Sequence, residues 1–277
     1  MAIPSPDSPT TDMRIPVEGD RCLHVQCHGE ADGTPTVLIH GGAMNSHNWD
    51  TLVPALVAAG HRAITIDMRA CGRSDRDFVA MDVPSLGTDV VTVLDALGIG
   101  RAAVVGWSVG GAVAVAAAHA LGPRLDRLVV IGGATPRLRE DVDYPGLPAA
   151  AFGATQQALA DDRAGFWRAM SSILFREPQP DIVEECWRQF MSSGTQFEKT
   201  LANLADLDQR PLLADITAPT LVCHGRHDLY VPVTFGERLA AGLPNAQLVV
   251  FENSGHAPFL EERQAFHAQL LAFLGAA

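Results

Sequence analysis

Cysteine is scarce in this sequence, and its few cysteines follow no pattern. They number five, which is odd, their spacing is irregular, and no Cys-x-x-Cys pair occurs. These features argue against a disulfide framework or a cysteine-based zinc site, and they predict a reducing, cytoplasmic environment. The five are Cys22, Cys27, Cys71, Cys186 and Cys223.

Positive charge and long apolar runs are lacking as well. The chain has 20 Lys and Arg against 32 Asp and Glu, which gives a formal net charge of -12. An acidic surface repels phosphate backbones and anionic lipids, so neither nucleic acid nor a membrane surface is an expected partner. No apolar run approaches the roughly 20 residues of a membrane-spanning helix. Residues 1–20 start without the basic and apolar regions of a signal peptide, and we predict a flexible tail there.

Short apolar, β-branched runs alternate with helical patterns along most of the chain. Hydrophobic residues make up 47% of the 277 residues, which is enough for a substantial core. Continuous apolar strands separated by helices indicate an α/β fold with a mostly parallel sheet covered on both faces. The predicted strands are 23–26, 36–39, 63–66, 102–105, 128–131, 220–223 and 247–251, and the predicted helices are 85–97, 109–121, 235–241 and 261–273.

Residues 136–210 interrupt this alternation. They contain no convincing strand, and helical patterns occur around 166–175 and 182–191. Because the segment is too long for an ordinary crossover, we predict a helical cap inserted between the core segments 21–135 and 211–277. Trp167 and Trp187 in this cap are candidates for a substrate pocket, although packing onto the core is the more common role of such residues.

The pentapeptide Gly106-Trp107-Ser108-Val109-Gly110 lies between a predicted strand and a predicted helix. Gly-x-Ser-x-Gly is a weak signal alone, and a plain glycine-rich turn is the alternative. At a strand–helix junction, however, it is typical of a nucleophile on a sharp, strained turn, where small flanking residues prevent clashes. We therefore predict Ser108 as the nucleophile. The N–H of Val109, at the helix N-terminus, is a predicted oxyanion donor.

A second glycine pair, in His40-Gly41-Gly42-Ala43, follows the predicted strand 36–39. Glycines there allow a backbone N–H to point into a cleft, and acyl transfer needs two such donors aimed at the oxyanion. We predict Gly42 as the other donor, with Ala43 as the alternative. His40, at the strand end, is interpreted as a structural residue that braces the loop.

Two further polar residues follow the last two predicted strands. Asp228 comes 120 residues after Ser108, and His256 lies on a loop before the final helix. The order Ser, Asp, His is that of a nucleophile, acid and base in one known class of hydrolases, and such residues collect at the carboxyl edge of a parallel sheet. A metal site of Asp228 with His224 and His227 is disfavoured, because no further ligand cluster is visible.

From about residue 21 to the C-terminus these elements resemble the α/β-hydrolase superfamily. The segment Asp67-Met68-Arg69-Ala70-Cys71-Gly72-Arg73-Ser74 is similar to that family's Asp-x-Arg-Gly-x-Gly-x-Ser turn, with Ala70 in place of the usual glycine. The resemblance implies a mostly parallel, eight-stranded sheet flanked by helices. It also implies a Ser108–Asp228–His256 triad and no metal or other cofactor.

Segments 134–136, 143–145 and 162–166 look like the cap entry of cofactor-free haloperoxidases and their aryl-esterase relatives. This subgroup tends to have Phe-Ser-Met where this chain has Trp107-Ser108-Val109, and a large residue in place of Gly42. The smaller Gly42 is expected to leave more room beside the nucleophile.

These observations predict a serine hydrolase that cleaves a carboxyl ester or lactone of a small, partly apolar molecule. Ala43 and Trp107 join the two cap tryptophans as candidate pocket residues. Perhydrolysis, acyl transfer and carbon–carbon bond hydrolysis would use the same residues. A non-catalytic ligand receptor on the same fold is the alternative from another class, and a homodimer is the oligomeric alternative to a monomer.

Overall fold

The computed structural model describes residues 10–142 and 144–275. The first nine residues of the predicted tail, and Asp143 of one cap-entry motif, lie outside the described residues. The strands are β1 Thr10–Glu18, β2 Arg21–His28, β3 Thr34–Ile39, β4 His61–Ile66, β5 Ala102–Trp107, β6 Leu125–Ile131, β7 Thr220–Gly225 and β8 Ala246–Phe251. The helices are α1 Val53–Ala58, α2 Val83–Ala96, α3 Val109–Leu121, α4 Ala149–Asp161, α5 Arg163–Ile173, α6 Pro180–Ser192, α7 Phe197–Asn203, α8 Val233–Gly242, α9 Pro258–Glu261 and α10 Arg263–Leu274.

The eight strands form one sheet in the order β1-β2-β4-β3-β5-β6-β7-β8. The pairs β1–β2 and β2–β4 are antiparallel, and all the others are parallel. Each of the seven predicted strands falls within an observed strand, so the mostly parallel, eight-stranded architecture is confirmed.

The eighth strand lies where the sequence predicts a tail. Residues Thr10–Glu18 form β1, which pairs with β2 from Thr10 opposite His28 to Glu18 opposite Arg21. The tail prediction is therefore wrong for residues 10–18. Among these nine residues only Ile15 is buried, and the register with β2 shifts between Pro16 and Glu18. Charged residues and proline are typical of an edge strand, and here they interrupt the alternation of apolar and polar residues by which a strand is predicted.

Helix α3 packs closely on the centre of the sheet. Ten of its thirteen residues are buried, and most are glycine, alanine or valine. Small side chains allow the close approach: a Cβ on Gly111 would lie 2.9 Å from Gly133 Cα, beyond the end of β6. The first turn of α3 therefore sits directly at the carboxyl edge of β5 and β6.

Helices α4 to α7 follow β6 and precede β7, which agrees with the predicted helical insertion. The predicted helices 166–175 and 182–191 correspond to α5 and α6, whereas α4 and α7 were not predicted. Leu174, Trp167 and Leu201 of this region reach over the start of α3. In the two described ranges, no helix is both long and apolar enough to cross a membrane.

Two mid-helix glycines with different surroundings test the packing of α2 on α3. A Cβ on Gly87 of α2 would lie 2.7 Å from the Cβ of Ala116, whereas a Cβ on Gly153 of α4 would meet nothing within 4 Å. We expect Gly87→Ala to lower the free energy of unfolding by about 1 kcal/mol, because overpacking costs about 1–3 kcal/mol and outweighs about 1 kcal/mol of helix propensity. Gly153→Ala should raise it by up to about 1 kcal/mol. Urea denaturation followed by circular dichroism measures both, and equal stabilisation by the two substitutions would contradict this packing.

Candidate active site

Ser108 occupies a sharp turn between β5 and α3. Its φ of 57° lies in the left-handed region, which is rare for a residue with a side chain. The flanking glycines make the turn feasible. A Cβ on Gly106 would overlap the carbonyl oxygen of Gly110, and a Cβ on Gly110 would overlap the carbonyl oxygens of Ile39 and His40. The two glycines therefore let three backbone segments touch at Ser108.

Hydrogen bonds with β6, with the segment after it and with the first turn of α3 fix the backbone of Ser108. Its N–H donates to Ile131 O at 2.9 Å, and its carbonyl accepts from the N–H groups of Gly111 and Ala134, each at 2.9 Å. These three bonds compensate for the strained φ, whose cost is on the order of 1–3 kcal/mol. The side chain at this position is thus presented at the carboxyl edge of the sheet by a rigid frame.

The two predicted oxyanion donors lie beside Ser108 in one pocket. Gly42 and Val109 are so close that a Cβ on Gly42 would lie 2.8 Å from Val109 Cγ2 and 3.2 Å from Phe197 Cε1. The expected extra room beside Gly42 is therefore absent, because the side chains of Val109 and Phe197 occupy that space.

Buried polar residues brace the loop that carries Gly42. The ring of His40 donates from Nδ1 to Gly41 O at 2.7 Å and accepts at Nε2 from the N–H of Met68 at 2.9 Å. Burial lowers the pKa of His40, which is consistent with this neutral, structural role. Asp67 accepts from the N–H of Ser46 at 2.7 Å and from that of Arg73 at 2.9 Å. Asp67 thus joins the family-like turn to the loop.

Asp228 and His256 are in direct contact. Asp228 Oδ2 lies 2.6 Å from His256 Nδ1, and both side chains are fully buried. Asp228 Oδ1 accepts from the N–H groups of Tyr230 and Val231 at 2.9 and 2.8 Å. Burial on its own would raise the pKa of Asp228, but the charge of His256 and the hydrogen bonds from His224 and His256 hold that pKa well below its usual range.

This contact fixes the orientation of the imidazole. A ring that donates from Nδ1 to a carboxylate presents Nε2 as an acceptor. Nε2 of His256 is buried and has no hydrogen-bond partner among the described residues, and His256 lines the same pocket as Ser108. The backbone of His256 is held as well: its N–H donates to Leu174 O at 2.7 Å, and its carbonyl accepts from Trp107 Nε1 at 2.8 Å. The arrangement places an imidazole nitrogen without a partner among the described residues in the pocket that contains Ser108.

The pocket over Ser108 has a volume of about 320 Å³, including space open to solvent, and its walls are mainly apolar. Burial raises the pKa of Tyr230, one of these walls, to about 12, so its hydroxyl stays neutral. The lining residues are Gly41, Gly42, Met44, Trp107, Ser108, Val109, Trp167, Met170, Leu174, Phe190, Leu201, Tyr230 and His256.

Two of the four predicted pocket residues, Trp107 and Trp167, line this pocket, and the other two do not. Ala43 has a φ of 56° and is buried in the turn after Gly42, so the next residue, Met44, reaches the pocket instead. Trp187 packs between α5 and α6, where its Nε1 donates to Ala164 O at 3.2 Å. The pocket prediction is therefore wrong for Ala43 and Trp187.

The His224 side chain contacts Asp228. Among the described residues, no group of three or more His, Cys, Asp or Glu side chains could hold a metal ion, so this pair is not part of a metal cluster there. Its Nε2 lies 2.7 Å from Val231 O and 3.3 Å from Asp228 Oδ2. His224 therefore acts as a buttress for Asp228.

Comparison with known proteins shows the family of this chain. A family model described as the α/β-hydrolase fold matches residues 34–263. The chain belongs to the α/β-hydrolase family. Its relatives include a 2-hydroxy-6-oxononadienedioate/2-hydroxy-6-oxononatrienedioate hydrolase from Cupriavidus pinatubonensis, which is 32% identical over 93% of this chain and 93% of its own length.

Other relatives within the α/β-hydrolase family have different names. A non-heme chloroperoxidase from Streptomyces lividans is 30% identical over 89% of this chain and 93% of its own length, which confirms the resemblance to haloperoxidases. The structure of an esterase from Exiguobacterium antarcticum superposes with a TM-score of 0.91 at 26% identity, covering 95% of this chain and 99% of that chain. The α/β-hydrolase family is thus shown, and these relatives carry several different activities.

Glu261, at the end of α9, was missed by the sequence analysis. Its Oε1 accepts from the N–H of Arg176 in the cap, and its Oε2 accepts from the N–H of Gly255, both at 2.7 Å. One carboxylate therefore connects the cap to the loop that carries His256. No sequence pattern marks this role, because both partners are backbone amides and one of them, Arg176, is 85 residues away along the chain.

Glu261→Gln tests this connection. A glutamine amide retains one acceptor oxygen and turns an N–H₂ group toward the other donor, so one of the two bonds is lost. Because a hydrogen bond to a charged group contributes about 1.5–3 kcal/mol, we expect hydrogen exchange at Arg176 or Gly255 to accelerate by about tenfold or more. Glu262→Gln is the matched control, since Glu262 accepts from Asn253 N–H and Ser254 Oγ. Unchanged exchange at both Arg176 and Gly255 would contradict the role of Glu261.

Proposed function

We propose that this chain is a serine hydrolase that cleaves a carboxyl ester or lactone of a small, partly apolar molecule through an acyl-enzyme on Ser108. The observation that carries the proposal is the 2.6 Å contact between Asp228 and His256, with Nε2 of His256 unpartnered in the described residues and Ser108 on its strained turn in the same pocket.

In the acylation step, Nε2 of His256 takes the proton of Ser108 Oγ as that oxygen attacks the carbonyl carbon. The N–H groups of Gly42 and Val109 stabilise the oxyanion, and Asp228 stabilises the imidazolium. His256 then gives the proton to the departing alkoxide. The products of this step are the alcohol and an acyl group bonded to Ser108.

In the second step, water replaces the alcohol. His256 takes a proton from water as the hydroxyl attacks the acyl carbon, and it returns the proton to Ser108 Oγ when the intermediate collapses. The carboxylic acid leaves and Ser108 is restored. The step needs no group beyond the residues already named.

The lack of positively charged residues in the walls of the pocket favours an uncharged substrate over the dicarboxylates named for the Cupriavidus relative. Among the described residues, no Lys or Arg lines the pocket over Ser108. A carboxylate buried there would lack a partner, which costs several kcal/mol. The formal net charge of -12 adds a long-range repulsion. Ester or lactone hydrolysis is therefore the better-supported reaction.

Perhydrolysis is the second candidate, because the chloroperoxidase relative is 30% identical over most of the chain. If hydrogen peroxide rather than water attacks the acyl group on Ser108, the product is a peracid, and the same base and donors serve. Acetate with peroxide and bromide, followed by bromination of a dye, distinguishes this activity from hydrolysis.

The nucleophile is tested by covalent labelling. A fluorophosphonate should form a 1:1 adduct on Ser108, and Ser108→Ala should abolish the adduct and lower kcat for p-nitrophenyl acetate by about 10⁴-fold or more, with an unchanged circular dichroism spectrum. Ser192→Ala, at the exposed end of α6, is the control and should retain both properties. Esterase activity that survives in Ser108→Ala would refute the mechanism, and absence of any adduct on the folded wild type would favour a non-catalytic receptor.

The substrate charge is tested with paired esters. We expect kcat/KM for p-nitrophenyl butyrate to exceed that for p-nitrophenyl hydrogen succinate by at least about 100-fold, because the succinyl carboxylate would be buried without a cation. 2-Hydroxy-6-oxononadienedioate should be cleaved less efficiently than the butyrate ester. Comparable kcat/KM for the dienedioate would instead favour carbon–carbon bond hydrolysis.

A further inference from the structure

A second cavity adjoins the pocket over Ser108. It has a volume of about 540 Å³, including space open to solvent, and it lies between α4 of the cap and the carboxyl edge of the sheet. Val109, Leu201 and Tyr230 line both cavities. These three side chains form the partition between them, and Val109 directly follows the nucleophile.

The walls of the second cavity are mainly apolar and carry no charge. Leu138, Leu147 and Phe152 contribute apolar surface, and none of its lining residues is charged. Two polar side chains, Thr155 and Gln156, are present on α4, and Thr155 Oγ1 already donates to Ala151 O at 3.0 Å. A cavity with such walls suits an uncharged aliphatic or aromatic group.

One side of the first pocket is closed to a larger substrate. The side chains of Val109 and Phe197 fill the space beside Gly42, so a group attached to a carbonyl carbon beside Ser108 cannot extend in that direction. On another side the pocket shares Val109, Leu201 and Tyr230 with the second cavity. The second cavity is therefore the adjoining space into which a larger group can extend.

We propose that the second cavity is a substrate-binding site, which takes the larger uncharged, apolar part of the ester while Ser108 attacks its carbonyl carbon. The inference rests on the proposed function, and it narrows the substrate class to esters or lactones with an aliphatic or aromatic part of medium length. Val109 then serves twice, through its N–H at the oxyanion and through its side chain in the partition.

The experiment fills the second cavity from α4. Ala151 lines the cavity, whereas the neighbouring Ala150 is exposed and does not line it, so Ala151→Trp and Ala150→Trp are a matched pair. Two series of esters are compared: p-nitrophenyl acetate with p-nitrophenyl octanoate for the acyl part, and ethyl acetate with octyl acetate for the alcohol part. We expect Ala151→Trp to lower kcat/KM for the long ester of one series by at least about tenfold, and to change the short esters less than twofold.

Ala150→Trp should leave both ratios of long to short esters unchanged. The series that responds shows whether the acyl or the alcohol part occupies the cavity. Phe152→Ala removes volume from the cavity instead of adding it, and it should raise the preference of the enzyme for esters with still longer chains.

Equal losses of kcat/KM for short and long esters in Ala151→Trp, or no loss of kcat/KM in either series, would overturn the inference. Because fluorophosphonate labelling tests Ser108 without reference to chain length, a labelled enzyme with unaltered chain-length preference refutes the second cavity alone, and an unlabelled one refutes the proposed function.

Discussion

The close contact of three backbone segments at Ser108 supports the rest of the candidate site. The first turn of α3 touches the end of β3 because Gly110 has no side chain, and it touches β5 because Gly106 has none. The end of β3 leads straight into the loop that carries Gly42. One contact therefore sets the position of the serine, of the N–H of Val109 and of the loop with the other proposed donor. A side chain at Gly106 or Gly110 would push these backbone segments apart and so displace the serine and both proposed donors at once.

The position of His256 depends on the cap as well as on the core. Its side chain is held by Asp228, which follows β7, but its backbone N–H donates to Leu174 O in the cap. The side chain of Leu174 also lines the pocket over Ser108. The same short cap segment is thus in contact with the proposed base and with the space for substrate. A movement of the cap that widens the pocket at Leu174 would also act on the orientation of His256.

The central strands and the positions of Ser108, Asp228 and His256 at the edge of the sheet could be predicted because each follows a continuous apolar run. A buried parallel strand has to be apolar on both faces, so its end is visible in the sequence. Strand β1 could not be predicted, since an edge strand with charges and Pro16 satisfies few of the same constraints. Trp187 was misplaced for another reason: helical spacing indicates which face is apolar but not which neighbour covers it.

The space beside Gly42 shows most clearly why the substrate is harder to predict from the sequence than the proposed reaction is. In the sequence a glycine there implies room, but Phe197 from the cap and Val109 from α3 fill that room. The space reappears beyond Val109, between the core and α4. The proposed specificity therefore depends on contacts between segments that are distant along the chain, such as Gly42 and Phe197, and local patterns carry little information about such contacts. The proposed chemistry requires only an exposed hydroxyl, a paired imidazole and two amide donors, each of which follows a strand. For this reason the residues of the proposed reaction can be predicted from the sequence. The shape of the pockets that would select a substrate depends on how α3, α4 and α7 pack together, and it can be described only from the structure.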